Sequence, residues 1–175
     1  KHSFLVREGD ALERLARVRA LAFDKTGTLT RGMPEVTEVF AAPGFDRQTL
    51  YRLAASAEQR SEHPLGKAVV RSWRQAHEDG ALPAPEQFEM VPGRGVRACA
   101  EGRQVLAGTP ELLRSAQVRV PPLQEAQAWL DRGSTVVYLA VDGAFAGFLA
   151  LSDTLRPESA AILPHCQSLA CSRCC

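Results

Sequence analysis

The sequence has no long apolar run, no excess of one charge, and few cysteines before its last ten residues. No window approaches the run of about eighteen apolar residues that predicts a membrane-spanning helix, and the N-terminal residues lack the pattern of a signal peptide. The formal net charge of +1 indicates no broad surface for nucleic acid or anionic lipid. Any anionic ligand must therefore be held locally.

Cysteine is scarce in the body of the chain, where Cys99 is the only one of five. The other four lie in the last ten residues, which argues against a disulfide framework for the whole fold. Two interpretations of this tail stay open. Cys171-x-x-Cys174, with Cys166 and His165, has enough soft ligands for zinc or copper(I). A lone Cys-x-x-Cys without a second spaced pair is also typical of a terminus with no selected role.

Hydrophobic periodicity predicts an α+β chain with an antiparallel sheet, and 45% hydrophobic residues can bury a core of ordinary size. Asp142-Gly143 is the clearest hairpin turn, and Glu101-Gly102 is a second. His63 and Thr109 are expected to cap helices that open on Pro64 and Pro110. The predicted strands are 18–23, 36–40, 88–91, 95–100, 104–107, 135–141 and 144–151, and the other predicted helices are 10–18, 47–60 and 122–132.

Most of the chemical information lies in Asp24-Lys25-Thr26-Gly27-Thr28-Leu29-Thr30, directly after an apolar strand. A carboxylate at the end of a buried strand is rigidly aimed and can attack phosphorus, so Asp24 is the candidate nucleophile. Lys25, the Thr28 hydroxyl and backbone N–H groups around Gly27 are suited to stabilise a transferred phosphoryl group, alongside magnesium. The alternative is a capped turn without chemistry.

This segment resembles in full the phosphorylation signature of the P-type ATPases, within the wider haloacid dehalogenase-like superfamily. The resemblance implies that Mg²⁺ binds Asp24 and the backbone carbonyl of Thr26. Many soluble phosphatases of that superfamily carry an acid/base Asp where this chain has Thr26, so a longer-lived phosphoenzyme is expected here. A soluble phosphatase of this superfamily and a pure nucleotide- or metal-binding module are the alternatives.

Ser61-Glu62-His63-Pro64-Leu65, with Glu58 shortly before it, resembles the signature of the heavy-metal pump subfamily. The resemblance implies that Glu58 and His63 meet the adenine of ATP. A flat imidazole ring suits stacking, and a carboxylate accepts from an amino group. Taken alone, the same segment is an ordinary helix cap.

Three glycines complete the predicted nucleotide site. Gly93 and Gly95 resemble the Gly-x-Gly of the same pocket, where missing side chains let the backbone approach the ligand. Gly108-Thr109-Pro110 stands where copper pumps commonly have Gly-Asn. This sequence more closely resembles that of zinc, cadmium and lead pumps, which favours a divalent metal as the transported ion.

Asp153 and Arg156 resemble the hinge that re-enters the phosphorylation domain. The expected organisation is 1–35 as the first piece of that domain, 36–150 as the nucleotide-binding domain, and 151–175 as the hinge and return segment. The expected fold is an α+β nucleotide-binding domain, its antiparallel sheet flanked by helices, inserted in an incomplete α/β haloacid dehalogenase-like domain. After Ala160 the family pattern predicts a helix and a further strand, and the Cys-rich tail departs from it.

The resemblance implies the ATP-binding and aspartyl-phosphorylation portion of a heavy-metal pump, the cytoplasmic part of an integral membrane protein. ATP and Mg²⁺ are the expected cofactors. The expected partners are the remaining pump domains and the transported ion, with no nucleic acid. Zinc, cadmium or lead is the expected cargo, and a copper pump is the alternative. The separate chain is expected to bind ATP with little or no turnover.

Overall fold

The computed structural model describes residues 8–18, 20–77, 81–168 and 172–174. The chain forms two compact units, the first from Lys1–Gly32 and Thr154–Cys175 and the second from Met33–Asp153. Within the described ranges, no helix combines the length and hydrophobicity needed to span a bilayer.

A six-stranded sheet in the order β2-β7-β6-β5-β4-β3 organises the second unit. All pairings from β3 to β7 are antiparallel, which confirms the predicted sheet. Positive φ angles at Glu101-Gly102 and Asp142-Gly143 fit the two-residue hairpin turns expected there. The strands are β2 (Thr30–Ala41), β3 (Gln87–Val91), β4 (Gly95–Ala100), β5 (Arg103–Gly108), β6 (Thr135–Val141) and β7 (Ala144–Leu155).

Helices cover both faces of this sheet, which explains why β6 is almost continuously apolar. Val137 and Leu139 of β6 belong to the main core cluster under α2 and α3, whereas Val136 and Ala140 pack into smaller clusters with α5 and α4. The helices of this unit are α2 (Arg47–Ala57), α3 (Pro64–Ala76), α4 (Pro110–Ser115) and α5 (Gln124–Asp131), with a 3₁₀ turn at Glu58–Arg60.

Two strands are longer than their sequence pattern predicts. β2 begins at Thr30 and β7 ends at Leu155, beyond the alternating apolar residues on which the predictions rested. The two strands are neighbours in the sheet, and the Asp153 carboxylate accepts a hydrogen bond from the Met33 N–H at 3.1 Å. Pairing between segments far apart in sequence therefore sets these ends, and local periodicity does not report it.

The first unit contains α1 (Ala11–Leu15), β1 (Ala20–Ala22), α6 (Pro157–Ser168) and β8 (Ser172–Cys174). β8 pairs in parallel with β1, with Ala22 opposite Cys174. The tail therefore forms the helix and strand that the family pattern predicts, despite its Cys-rich composition. The side chains of His165, Cys166, Cys171 and Cys174 lie outside the described residues, so both interpretations of the tail stay predictions.

Phe148 tests the packing between the sheet and α5. Its side chain is fully buried, and its ring stacks on Phe40 with centroids 5.0 Å apart. We expect Phe148→Ala to lower the free energy of unfolding by about 3–5 kcal/mol, because it removes apolar contact and leaves a cavity. Leu130→Ala, at a side chain that is 42% exposed, should change it by less than about 0.5 kcal/mol. Chemical denaturation measures both, and equal losses would contradict this packing.

Candidate functional site

A cavity of about 240 Å³ lies in the second unit, beside the N-terminus of α3 and the ends of β3, β4 and β5. Its walls are mostly apolar, with a few polar groups. All five residues predicted to bind the nucleotide line it. The lining residues are Glu58, Ser61, His63, Leu65, Gly66, Met90, Val91, Gly93, Arg94, Gly95, Val96, Ala107, Gly108, Thr109, Thr135, Val136 and Val137.

Glu58 is a buried acid in this cavity, only 7% exposed. It lies on the 3₁₀ turn after α2, where its carboxyl group approaches Ser61 and the backbone of Gly66. A Cβ atom at Gly66 would lie 2.3 Å from the Glu58 Oε2, so only glycine leaves room for the carboxyl group. Burial raises the pKa of Glu58 to about 7, against the opposing effect of a hydrogen bond with Ser61.

The acid therefore exists in both protonation states near neutral pH. As a carboxylate Glu58 only accepts hydrogen bonds, and as an acid it also donates one. Either form offers an acceptor to a ligand amino group inside an otherwise apolar cavity. The charged form is costly here because the surroundings replace little of its hydration.

His63 is the N-cap of α3, as predicted, and Pro64 follows it in the first turn. Its Nδ1 accepts a hydrogen bond from the Leu65 N–H at 3.2 Å. In the neutral ring the proton then lies on Nε2, which remains as a donor. The helix cap and the ligand site are thus compatible, because capping uses one nitrogen and leaves the other, with the exposed ring faces, for a ligand.

Gly95 and Gly108 face each other across β4 and β5. A Cβ atom on Gly95 would lie 2.1 Å from the Ala107 carbonyl oxygen, and one on Gly108 would lie 2.0 Å from the Arg94 carbonyl oxygen. Both glycines are therefore required by strand packing, whatever the cavity binds. Gly93 differs: it has φ of 69° in the turn between β3 and β4, and a Cβ atom there would meet nothing within 4 Å.

Several lining residues carried no sequence signal. Thr135, Val136 and Val137 of β6 reach the cavity only because β6 lies next to β5 in the sheet. Met90 is 44% exposed and was assigned only to a strand. Thr109 also lines the cavity, but its hydroxyl group accepts from the Leu112 N–H at 3.4 Å as the cap of α4.

The predicted phosphorylation motif, residues 24–30, forms a tight loop in the first unit. Asp24 is exposed and follows β1, and its carbonyl oxygen accepts from the Leu29 N–H at 3.3 Å, closing the π-helical turn Lys25–Leu29. Gly27 has φ of 79°, which glycine adopts without strain. Thr28 is exposed as well. The side chains of Lys25 and Thr26 lie outside the described residues, so the role given to Lys25 stays a prediction.

Arg156, in the second sequence segment of the first unit, forms hydrogen bonds with this loop. Its Nε donates to the Thr30 carbonyl and its Nη2 to the Gly27 carbonyl, each at 3.1 Å. Its backbone N–H donates to the Leu29 carbonyl at 2.9 Å. Three bonds from one residue thus fix the backbone that follows Asp24. No group of three or more His, Cys, Asp or Glu side chains forms a metal cluster in the described ranges.

Comparison with known proteins identifies the family of the chain. Residues 18–174 match the family model of haloacid dehalogenase-like hydrolases. A manganese-exporting P-type ATPase of Mycobacterium bovis is 40% identical over 168 residues, 93% of this chain and 23% of that protein. A probable copper-exporting P-type ATPase V of Mycobacterium tuberculosis is 39% identical over 162 residues, 91% of this chain and 21% of that protein.

The fold has the same relatives. The crystal structure of a zinc-transporting PIB-type ATPase in the E2.Pi state matches with a TM-score of 0.76 and 34% identity, covering 97% of this chain and 27% of that one. The chain spans about a quarter of the length of the curated relatives it matches.

Glu58→Gln tests the buried acid. Since the folded-state pKa of about 7 exceeds the ordinary 4.5, the contribution of Glu58 to stability is full below pH 4.5 and is lost as pH rises to about 7. The loss amounts to at most about 3 kcal/mol. We expect Glu58→Gln to remove this pH dependence of the free energy of unfolding. Above pH 7 the variant should have a higher free energy of unfolding than the wild type.

The control for this experiment is Glu125→Gln, at an exposed position on α5. This substitution should leave the pH dependence of the free energy of unfolding the same as in the wild type. Denaturation at a series of pH values measures all three proteins. A Glu58→Gln profile parallel to that of the wild type would show that the acid ionises freely in the folded state.

Proposed function

The chain belongs to the haloacid dehalogenase-like hydrolase family and is related to the heavy-metal P-type ATPases, and we propose that it is the ATP-binding and aspartyl-phosphorylation portion of a heavy-metal cation pump. The observation that carries the proposal is the meeting of Glu58, His63, Gly93, Gly95 and Gly108 in one cavity. Their sequence positions span fifty residues, from 58 to 108, and no local pattern requires them to converge.

Cavity size fits the proposed adenine. About 240 Å³ is slightly below the range of roughly 300–1,000 Å³ typical of pockets that enclose drug-sized ligands. The cavity therefore suits the base, while the triphosphate extends outside. In this arrangement Glu58 accepts from the adenine amino group, and His63 offers its ring face for stacking and its Nε2–H as a donor.

Asp24 is the proposed acceptor of the γ-phosphoryl group. Its carboxylate attacks phosphorus, the bond to the departing ADP oxygen breaks, and an aspartyl phosphate results. In this proposal, Thr28 and backbone N–H groups of the loop stabilise the transferred charge. Arg156 keeps this loop in shape through the carbonyl groups of Gly27 and Thr30. Thr26 lacks an ionisable group, so rapid hydrolysis by a neighbouring acid/base residue is not expected.

The motif fits part of a magnesium site. The Asp24 carboxylate and the backbone carbonyl of Thr26 are the oxygen donors that Mg²⁺ prefers, and Mg²⁺ commonly takes one or two carboxylates together with phosphate oxygens. Bound there, the ion would compensate negative charge on the phosphoryl group. The remaining ligands belong to the rest of the proposed pump.

The domain assignment follows from these sites. In this proposal, residues 36–150 form the nucleotide-binding domain, while 1–35 and 151–175 contribute to the phosphorylation domain. Asp153 and Arg156 form the proposed hinge. The Asp153 carboxylate accepts from the Met33 N–H, and Arg156 donates to the loop of residues 24–30. The chain is then a cytoplasmic part of a membrane protein whose membrane, actuator and remaining phosphorylation segments are its partners.

The transported ion is the least constrained part of the proposal. Relatives named for manganese and for copper have nearly equal identity to this chain, so similarity alone does not choose between metals. Thr109 in place of Asn favours zinc, cadmium or lead, with copper(I) as the alternative. A soluble phosphatase is disfavoured because Thr26 replaces the acid/base residue and the second unit carries the adenine-sized cavity.

Replacing His63 tests the cavity. We expect His63→Ala to weaken ATP binding to the chain about tenfold, because a stacking surface and one hydrogen bond are lost. His77→Ala, at the C-terminal end of the same helix and outside the cavity, should bind like the wild type. Asp24→Asn should also bind normally. Calorimetric titration measures the affinities, and equal affinity in the His63 variant would refute the assignment.

Replacing Asp24 tests the chemistry in the complete pump. Metal-stimulated turnover should produce a phosphoenzyme that is stable in acid and cleaved by hydroxylamine, because an aspartyl phosphate is an acyl phosphate. Asp24→Asn should abolish labelling while nucleotide binding persists. In the same assay, zinc, cadmium or lead should stimulate more than copper(I). Persistent labelling of the Asn variant would overturn the mechanism, whereas stimulation by copper(I) alone would overturn only the metal preference.

A further inference from the structure

Arg94 is the only lysine or arginine among the described residues that line the cavity. It is exposed, and it lies between Gly93 and Gly95 in the turn from β3 to β4. Its guanidinium group forms no ion pair or hydrogen bond with any residue in the described ranges, whereas Arg52, Arg103 and Arg114 each form an ion pair with an acidic side chain. Among the described residues, the cavity therefore has one cationic side chain without an acidic partner, and it is exposed to solvent.

The backbone of this arginine is fixed on both sides. Its N–H donates to the Val91 carbonyl at 3.0 Å, and its carbonyl accepts from the Thr109 N–H at 2.7 Å. The close approach of Gly95 and Gly108 holds the same turn against β5. A fixed backbone keeps the start of this long side chain at the same edge of the cavity.

The size of the cavity and the charges of its lining residues indicate which part of a ligand Arg94 binds. The cavity holds a base but not a triphosphate, so the phosphates of a bound nucleotide lie at its edge. The other acid or base side chains in the lining are Glu58, which is buried, and His63, which caps α3. Neither offers the permanent positive charge and planar fork of donors with which arginine binds phosphate.

We infer that Arg94 forms a phosphate-binding subsite of the cavity and makes the site prefer nucleotides over nucleosides. This inference rests on the proposed function, since it assumes an adenine nucleotide in the cavity. It adds a residue that no glycine, His or Glu motif identifies. The subsite is specific to charge and leaves base recognition to Glu58 and His63.

The ligand series ATP, ADP, AMP and adenosine separates this role from a structural one. We expect Arg94→Ala to weaken ATP binding to the 175-residue chain about tenfold and adenosine binding by less than about twofold. Arg94→Lys should restore part of the loss, because it keeps the charge without the fork. The effect on ATP should shrink as salt rises, since the site is exposed.

Arg97→Ala is the matched control. Arg97 is an exposed arginine on β4, close to Arg94 in sequence but outside the cavity, so its replacement changes net charge equally. It should leave the affinity for ATP within about twofold of the wild type, as expected for a screened charge that does not contact the ligand. Thermal unfolding of each variant reports whether the turn is intact.

The outcomes distinguish this inference from the proposed function. A wild-type chain that binds none of the four ligands would overturn both. The phosphate subsite alone would be overturned if the wild-type chain binds the ligands and Arg94→Ala weakens ATP and adenosine binding by the same factor. It would also be overturned if Arg94→Ala weakens the binding of neither ligand. An Arg97→Ala loss equal to that of Arg94→Ala would also overturn it, because net charge would then explain the effect.

Discussion

The cavity depends on a close approach of two backbone segments, at Gly95 of β4 and Gly108 of β5. Neither glycine leaves room for a Cβ atom, because the Ala107 carbonyl oxygen occupies that space at Gly95 and the Arg94 carbonyl oxygen occupies it at Gly108. The adjacent bond from the Thr109 N–H to the Arg94 carbonyl joins the turn after β3 to the start of α4. This contact therefore holds the ends of β3, β4 and β5 and the start of α4 around the cavity. The positions of the polar groups that line the cavity depend on it.

Within that space, the second unit separates two kinds of polar group. Glu58 lies inside, where burial disfavours its charged form, and Gly66 is needed to accommodate its carboxyl group. Arg94 lies at the solvent-facing edge, where its charge remains hydrated until a ligand arrives. An adenine nucleotide has the complementary distribution, with an uncharged base at one end and phosphates at the other. The proposed orientation of the ligand follows from this separation.

The first unit fixes the loop after the proposed nucleophile by a different means. Asp24 follows a three-residue strand, and the loop after it, which the Leu29 N–H closes on the Asp24 carbonyl, has further partners elsewhere in the sequence. Arg156 supplies those partners from a segment more than a hundred residues later, by binding the carbonyl groups of Gly27 and Thr30. The loop shape thus depends on the return of the chain after the second unit. This dependence gives a physical reason for the proposed hinge to lie next to the motif.

The sequence by itself determined the local features, because turn glycines, cap residues and alternating apolar residues act through neighbours along the chain. It located the Asp142-Gly143 hairpin, the His63 and Thr109 caps and the candidate nucleophile. The tertiary structure alone decided the extent of β2 and β7, the strand formed by the Cys-rich tail, and the entry of β6 into the cavity. It also decided that Gly95 and Gly108 serve strand packing and that Arg94 lies at the edge of the cavity. These features arise from contacts between residues distant in sequence, whose free energies no local pattern records.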